Sequence, residues 1–140
     1  VGVSARRDGQ RAGVQRVGRQ HGQECEEGRC WVAARYLREI RNPKLTLRGV
    51  REGATAVWHQ FVVRCEKRDE LKEYLEKKEI GTIIHYPIPP HLSEAYQYLG
   101  YQEGAFPITE QYAKEVLSLP MYNGMTEEEQ TYVIEALNAF

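Results

Sequence analysis

Residues 1–30 contain no Leu, Ile, Met, Phe, Trp or Tyr. Any core this chain builds must therefore come from Trp31 onward. The same stretch holds six of the 12 glycines and six arginines, but no lysine. Such a segment has little to bury and cannot offset its own ordering entropy. Two parts are expected: a low-hydrophobicity Arg/Gly-rich segment over 1–30 and a folded unit over 31–140. The first reads either as a disordered basic tail or as a helix whose sequence has been altered. The chain also opens without Met, as expected of a fragment of a longer protein.

From Trp31 the apolar residues become periodic. "WVAARYLREI" places Val32, Ala33, Tyr36, Leu37 and Ile40 at helical spacing. Pro43 stops that helix, because the residue before a proline avoids helical geometry. "VWHQFVVR" (57–64) is rich in β-branched and aromatic residues and reads as a strand, with His59 packed inside it. "DELKEYLEKKEI" is an amphipathic helix with Leu71, Tyr74 and Leu75 on one face. "TIIHY" (82–86) reads as a second strand, ended by prolines. "LSEAYQYLG" is a short helix that Gly100 stops. "TEQYAKEVL" is a helix with Tyr112, Ala113 and Val116 inward, and "LSLP" is a short third strand. Thr126 and Glu129 form a capping-box pair that starts a last helix, buried along Val133, Ile134 and Leu137. The fold class is α+β: a short antiparallel-type sheet covered by helices.

Charge and composition narrow the function classes. The net charge of −1 comes with no Lys/Arg-rich block, which argues against a nucleic-acid partner. No apolar run approaches the roughly 20 residues of a membrane helix, and the start has no signal-peptide core. Three cysteines fit a reducing cytosol better than a disulfide framework. Cys25 and Cys30 with His21 lack the spacing of a zinc site, so no metal is expected.

Chemistry concentrates in "HYPIPPH" (85–91). Prolines stiffen a chain and remove backbone donors, and strand ends that run into stiff loops often carry binding residues. Strand alternation would point His85 and Tyr86 opposite ways. An imidazole and a phenol suit a polyhydroxylated or phosphorylated ligand, since both donate hydrogen bonds. From residue type alone, a packing role for the same pair is favoured over a site. Pro87 and Pro90 have P-x-x-P spacing, which would make the stretch a ligand for a proline-recognising module. No phosphate loop, nucleophile elbow or metal motif is present.

In order and spacing, "IGTIIHYPIPPH", "LGYQEGAFPITE" and "LSLPMYNGMT" resemble the C-terminal domain of the DegT/DnrJ/EryC1/StrS family. Its members are pyridoxal-phosphate-dependent sugar aminotransferases. The resemblance covers residues 31–140 and is nearest to members that aminate a 3-keto-6-deoxyhexose on a nucleoside diphosphate. It implies the small domain of a fold-type-I transferase, working in the cytoplasm as a homodimer. Its partners would be a nucleotide-linked keto sugar and an amino donor, typically glutamate. It further implies that His85, Tyr86 and His91 bind substrate, and that pyridoxal 5'-phosphate and its Schiff-base lysine belong to a large domain outside this chain. None of the six lysines matches that lysine by motif, so no catalytic residue is expected here, and the chain alone should not transaminate.

The resemblance weakens before residue 31. An ungapped count places Gly2, Arg6, Asp8 and Ala12 at family positions. Ser4 stands at the position of an asparagine that reaches the neighbouring subunit's cofactor phosphate, while Arg7 and Gly9 replace a leucine and a glutamate. A stretch that keeps its length but loses its apolar residues fits a short out-of-frame read or divergence. Two other readings stand beside the enzyme fragment: a non-catalytic sugar-nucleotide-binding module, and a peptide-interaction protein using P-x-x-P. With nothing laid over the 31–41 helix, Trp31, Tyr36 and Leu37 predict a sticky patch and self-association.

Overall fold

The computed structural model describes residues 28–140. The expectations for the tail, the counted family positions and His21 and Cys25 fall outside these residues, except that Gly28–Cys30 are already helical. Helix α1 is described over 28–39 and ends ahead of Pro43, as the proline requires. Strands β1 (Thr46–Leu47), β2 (Phe61–Arg64) and β3 (Val116–Leu119) form one antiparallel sheet in that order. Helix α2 (Arg68–Glu76) follows β2, α3 (Pro107–Glu115) leads directly into β3, and α4 (Glu127–Ala139) closes the chain.

The sheet has one dry face. Phe61 and Val63 of β2 pair with Leu119 and Leu117 of β3, and all four are buried. Period-two alternation then puts Val62, Arg64, Val116 and Ser118 on the opposite face, joined there by Thr46. Helices α1, α2 and α4 supply the other half of the core through Val32, Tyr36, Ile40, Leu71, Leu75, Val133 and Leu137. Helices α1 and α4 run side by side in the same direction. Arg35, past the middle of α1, donates to the Glu127 carbonyl (2.7 Å) and the Thr131 hydroxyl (2.6 Å) in the first turns of α4. Asn42 donates to the Leu137 carbonyl (2.8 Å) and Asn138 to the Glu39 carbonyl (3.0 Å) near their ends.

The α1 stripe is therefore consumed by its own domain. Tyr36 is fully buried, Leu37 packs against the core, and only Trp31, at 45% exposure, stays outside. The expected three-residue sticky patch does not form. Burial pushes the Tyr36 phenol well above its ordinary pKa, so it remains a neutral donor to the Pro120 carbonyl (2.8 Å).

Several elements depart from expectation. The strand read over 57–64 is regular only from Phe61, and His59 is exposed outside it rather than packed within it. Residues 82–86 contribute a single bridge, Ile83 to Ser118, because three prolines follow and cannot extend a ladder. The predicted 92–100 helix is two 3-10 turns, Pro90–Leu92 and Glu94–Leu99, with Gly100 left-handed at its end (φ 73°). Helix α3 starts two residues earlier than expected, with Pro107 at its first turn. It also ends earlier, because Val116 pairs with Arg64 in the sheet. Tyr112 lies half out of the protein instead of inward, beneath the Arg64 guanidinium at 4.2 Å.

The capping box at α4 forms as read: the Glu129 N–H donates to Thr126 Oγ1 (3.2 Å), and the Thr126 N–H donates to Glu129 Oε2 (2.8 Å). Thr126→Ala is expected to lower stability by about 1 kcal/mol. Urea denaturation followed by circular dichroism checks this, with the slope of the transition unchanged.

Candidate functional site

The open face of the sheet carries the polar chemistry. The Ile83–Ser118 bridge sets the 83–86 segment beside β3, and His85 lies on the same side of that segment as Ile83. Its Nδ1 is 2.9 Å from Ser118 Oγ. Beyond His85 the ladder has ended, so the alternation expected for Tyr86 does not apply. The two rings instead meet edge to face, with centroids 5.5 Å apart. Tyr86 is 72% exposed, while His85 is half-buried.

Two shallow depressions flank His85. One, of about 200 Å³, is walled by Tyr86, Ile88, Pro89 and Pro90 on one side and Thr109, Tyr112 and Ala113 of α3 on the other. The second, of about 180 Å³, is lined by His59, Gln60, Gly81, Ile83 and Ser118. His85 lines both.

His91 lies elsewhere. Its Nε2 is 3.0 Å from Glu110 Oε1, and its ring meets Phe106 and Tyr101 edge-on, at 4.8 and 6.5 Å. The buried Glu110 carboxylate also accepts from the backbone N–H of Gly104 (2.8 Å) and of Phe106 (3.1 Å). The Gly104 N–H, helped by Phe106 and His91, holds this carboxyl below the usual glutamate range against the opposing effect of burial. The structure thus joins His85 and Tyr86 in one depression and places His91 behind its walls, tying the proline segment to the loop before α3. The P-x-x-P spacing does not present a polyproline face, since Pro90 opens a 3-10 turn.

Sequence reasoning passed over Ser118, Glu110 and Tyr112, and assigned His59 to packing. A buried serine in an otherwise apolar strand, and a glutamate three positions after the proline of "FPITE", were the signals present.

A larger cavity of about 420 Å³ lies at the β1 end, lined by Lys44, Arg64, Lys67 and Glu115. Its cations are already engaged: Arg64 with Glu115 (2.7 Å), Lys67 with Glu70 (3.0 Å), and Lys44 with the Phe140 carbonyl (2.6 Å). The remaining lysines do not make a Schiff-base site either. Lys72 pairs with Glu76, Lys114 with Glu103, Lys78 lies over the Tyr74 ring, and Lys77 is exposed. None lines the depressions at His85. Among the described residues, then, no lysine is placed to form a Schiff base at these depressions. Among them there is also no metal-holding group of His, Cys, Asp or Glu, and no helix long and apolar enough to cross a membrane.

The sequence model of the DegT/DnrJ/EryC1/StrS aminotransferase family matches residues 1–138. The chain is 40% identical over 139 residues to the dTDP-3-amino-3,6-dideoxy-alpha-D-galactopyranose transaminase of Aneurinibacillus thermoaerophilus, covering 99% of this chain and 38% of that protein. It is 41% identical, with the same coverage, to the erythromycin biosynthesis sensory transduction protein EryC1 of Saccharopolyspora erythraea. Its fold matches S. venezuelae DesV, solved in complex with a ketimine intermediate, with a TM-score of 0.85 and 36% identity over 90% of this chain and 34% of that one. The chain thus spans about 38% of the length of the curated relatives it matches.

Proposed function

Since the chain belongs to the DegT/DnrJ/EryC1/StrS aminotransferase family, we propose that it is the small domain of a pyridoxal-phosphate-dependent transaminase that aminates a nucleotide-linked keto sugar. The nucleotide sugar is a 3-keto-6-deoxyhexose, and the amino donor is glutamate. The observation that carries this reading is the depression at His85 and Tyr86. It offers an imidazole and a phenol beside a wall of Tyr112 and prolines, open on one side. Apolar ring faces suit the C–H face of a sugar, and the polar tips suit its hydroxyls. So open a depression holds a ligand only when a second body closes over it. In this reading that body is the cofactor domain.

The relatives named above support the substrate class, and the lysine survey supports the division of labour. The cofactor supplies the electron sink for amino transfer; it is held by sequence outside this match, together with the Schiff-base lysine. His85 and Tyr86 contact the nucleotide sugar directly, and His91 shapes their wall through Glu110. The small domain takes in 31–140 together with the start of α1 at 28–30, after the low-hydrophobicity Arg/Gly-rich segment. The full protein works as a cytoplasmic homodimer in antibiotic-sugar or polysaccharide assembly.

A chimera tests the reading. The 140-residue chain replaces the matching part of the Aneurinibacillus transaminase. Mass spectrometry then follows glutamate-dependent conversion of the dTDP-linked 3-keto-6-deoxyhexose to the amine. Turnover is expected, with His85→Ala reducing kcat/KM by about 10–100-fold for the loss of one charge-capable hydrogen bond. The 140-residue chain alone with pyridoxal phosphate is expected to show no internal-aldimine absorbance. A folded chimera that binds the cofactor but makes no amine would refute the proposal.

A further inference from the structure

Tyr112 lies between two depressions on the open face of the sheet. It lines the one at His85 and another, of about 380 Å³, shared with Leu47, Val62 and Arg64. At 43% exposure its ring is not held by burial. A half-exposed aromatic side chain on a helix has more than one staggered rotamer open to it. The Arg64 guanidinium selects among them, lying over the ring at 4.2 Å. A cation at that distance is attracted by the ring quadrupole. Arg64 lines the second depression but not the one at His85. It therefore covers one side of Tyr112 and leaves the other to the His85 depression.

The guanidinium is itself fixed. Arg64 stands in β2, opposite Val116 of β3. Its Nε and Nη2 both donate to Glu115 Oε2, at 2.9 and 2.7 Å. The other oxygen of that buried carboxylate accepts from Gln111 Nε2 at 2.7 Å. Two donors on one carboxylate set the guanidinium plane in a way a single bond would not. Gln111, Tyr112 and Glu115 all belong to α3. The clamp thus joins the central strand to the helix that walls the depression.

We propose that Arg64 is a positioning residue for the sugar site: anchored on Glu115, it holds the Tyr112 ring as the wall against which the C–H face of the sugar lies. Arg64 itself touches no ligand. The proposal rests on the nucleotide-sugar reading and deepens it by naming what gives that wall a fixed place. Without the cation the ring turns to other rotamers, and the depression that the second body closes over lacks one side.

One arm of the test uses the chimera with the Aneurinibacillus transaminase. Arg64→Gln keeps a donor for Glu115 but offers the ring no charge. It should raise KM for the dTDP-linked keto sugar about fivefold, the size of one partly exposed cation–π contact, and leave kcat within about twofold. In a Tyr112→Ala background the same substitution should change KM no further. Arg64→Lys keeps the buried carboxylate partnered and serves if the glutamine variant fails to fold; its smaller rise in KM should vanish in the same background. An Arg64 that only docks α3 would lower the melting temperature and raise KM equally in both backgrounds, which overturns the proposal. The other arm needs no ligand. In the 15N-labelled 140-residue chain, ring-current shielding should move the Arg64 Nε–H proton upfield, and Tyr112→Ala should move it back. Arg64→Lys, which lacks the signal, assigns it. An unmoved proton overturns the proposal whatever the kinetics. If the proton moves but the cofactor-loaded wild-type chimera makes no amine, the hold on Tyr112 stands and the nucleotide-sugar reading falls.

Discussion

Phe61→Ala should destabilise the protein by about 3–5 kcal/mol, the range for deleting a fully buried aromatic ring. Phe61 has no exposure and lies at the centre of the dry sheet face. Its ring meets Tyr36 of α1 edge-on at 5.0 Å and stacks on Trp58 at 5.4 Å. Such pairs add about 0.5–1.5 kcal/mol beyond area burial. The cavity would open between the helix layer and the sheet, where neither can move inward without breaking the β2–β3 register. A domain of this size typically has about 5–15 kcal/mol of stability in all, so the variant should unfold at much lower urea and be marginal at 37 °C. Tyr86→Ala, which removes an aromatic ring of similar size at 72% exposure, should stay within about 0.5 kcal/mol of wild type. A Phe61→Ala loss below about 2 kcal/mol, with an unchanged urea slope, would show that the core collapses around the site.

The contrast between these two rings also marks how much was legible beforehand. Helices α1, α2 and α4 could be read because their signals are local: a 3.6-residue period, a proline stop and a capping box lie within a few residues of each other. Failures came where one segment's state depended on a distant one. Val116 fits the helical period of α3, yet it belongs to β3 because Arg64 lies opposite it in the sheet. Ile83 and Ile84 look like strand interior, but the prolines after them leave one bridge. Thr46–Leu47 is too short to show any alternation and is a strand only because β2 is there to pair with.

The site divides in the same way. His85 and Tyr86 stand out by residue type and by their place before the prolines. Their supports do not, because Ser118 is 33 residues from His85 in sequence and Glu110 is 19 from His91. His59 was misjudged because a strand was extended over it; outside the strand, its ring joins the depression beside His85. What identifies the family is a run of short motifs, and what the motifs could not give is which side chains hold which.

Glu110 should make the loop before α3 open in acid. Its carboxylate accepts from Gly104 N–H, Phe106 N–H and His91, and these contacts lower its folded pKa below the unfolded value of about 4.3. A lowered folded pKa gives stability that is fully present above the unfolded pKa and lost as pH falls through the folded one. Glu39, Glu115 and Glu129 are shifted in the same direction: Glu39 by Arg38 and Arg35, Glu115 by Gln111 and then Arg64, and Glu129 by the Thr126 N–H. Acid therefore weakens several tethers together, but only Glu110 ties a loop to the wall of the depression. Protection of the Gly104 and Phe106 amides against hydrogen exchange, corrected for the intrinsic pH dependence, should fall about tenfold or more between pH 6 and pH 3. Protection of the β2 and β3 amides should fall later and less. Glu110→Gln should show the low-pH protection already at pH 6, because a neutral amide is a weaker acceptor for the same donors. If Gly104 and Phe106 remain protected in Glu110→Gln at pH 6, the loop is held by its aromatic contacts around His91 and not by the carboxylate.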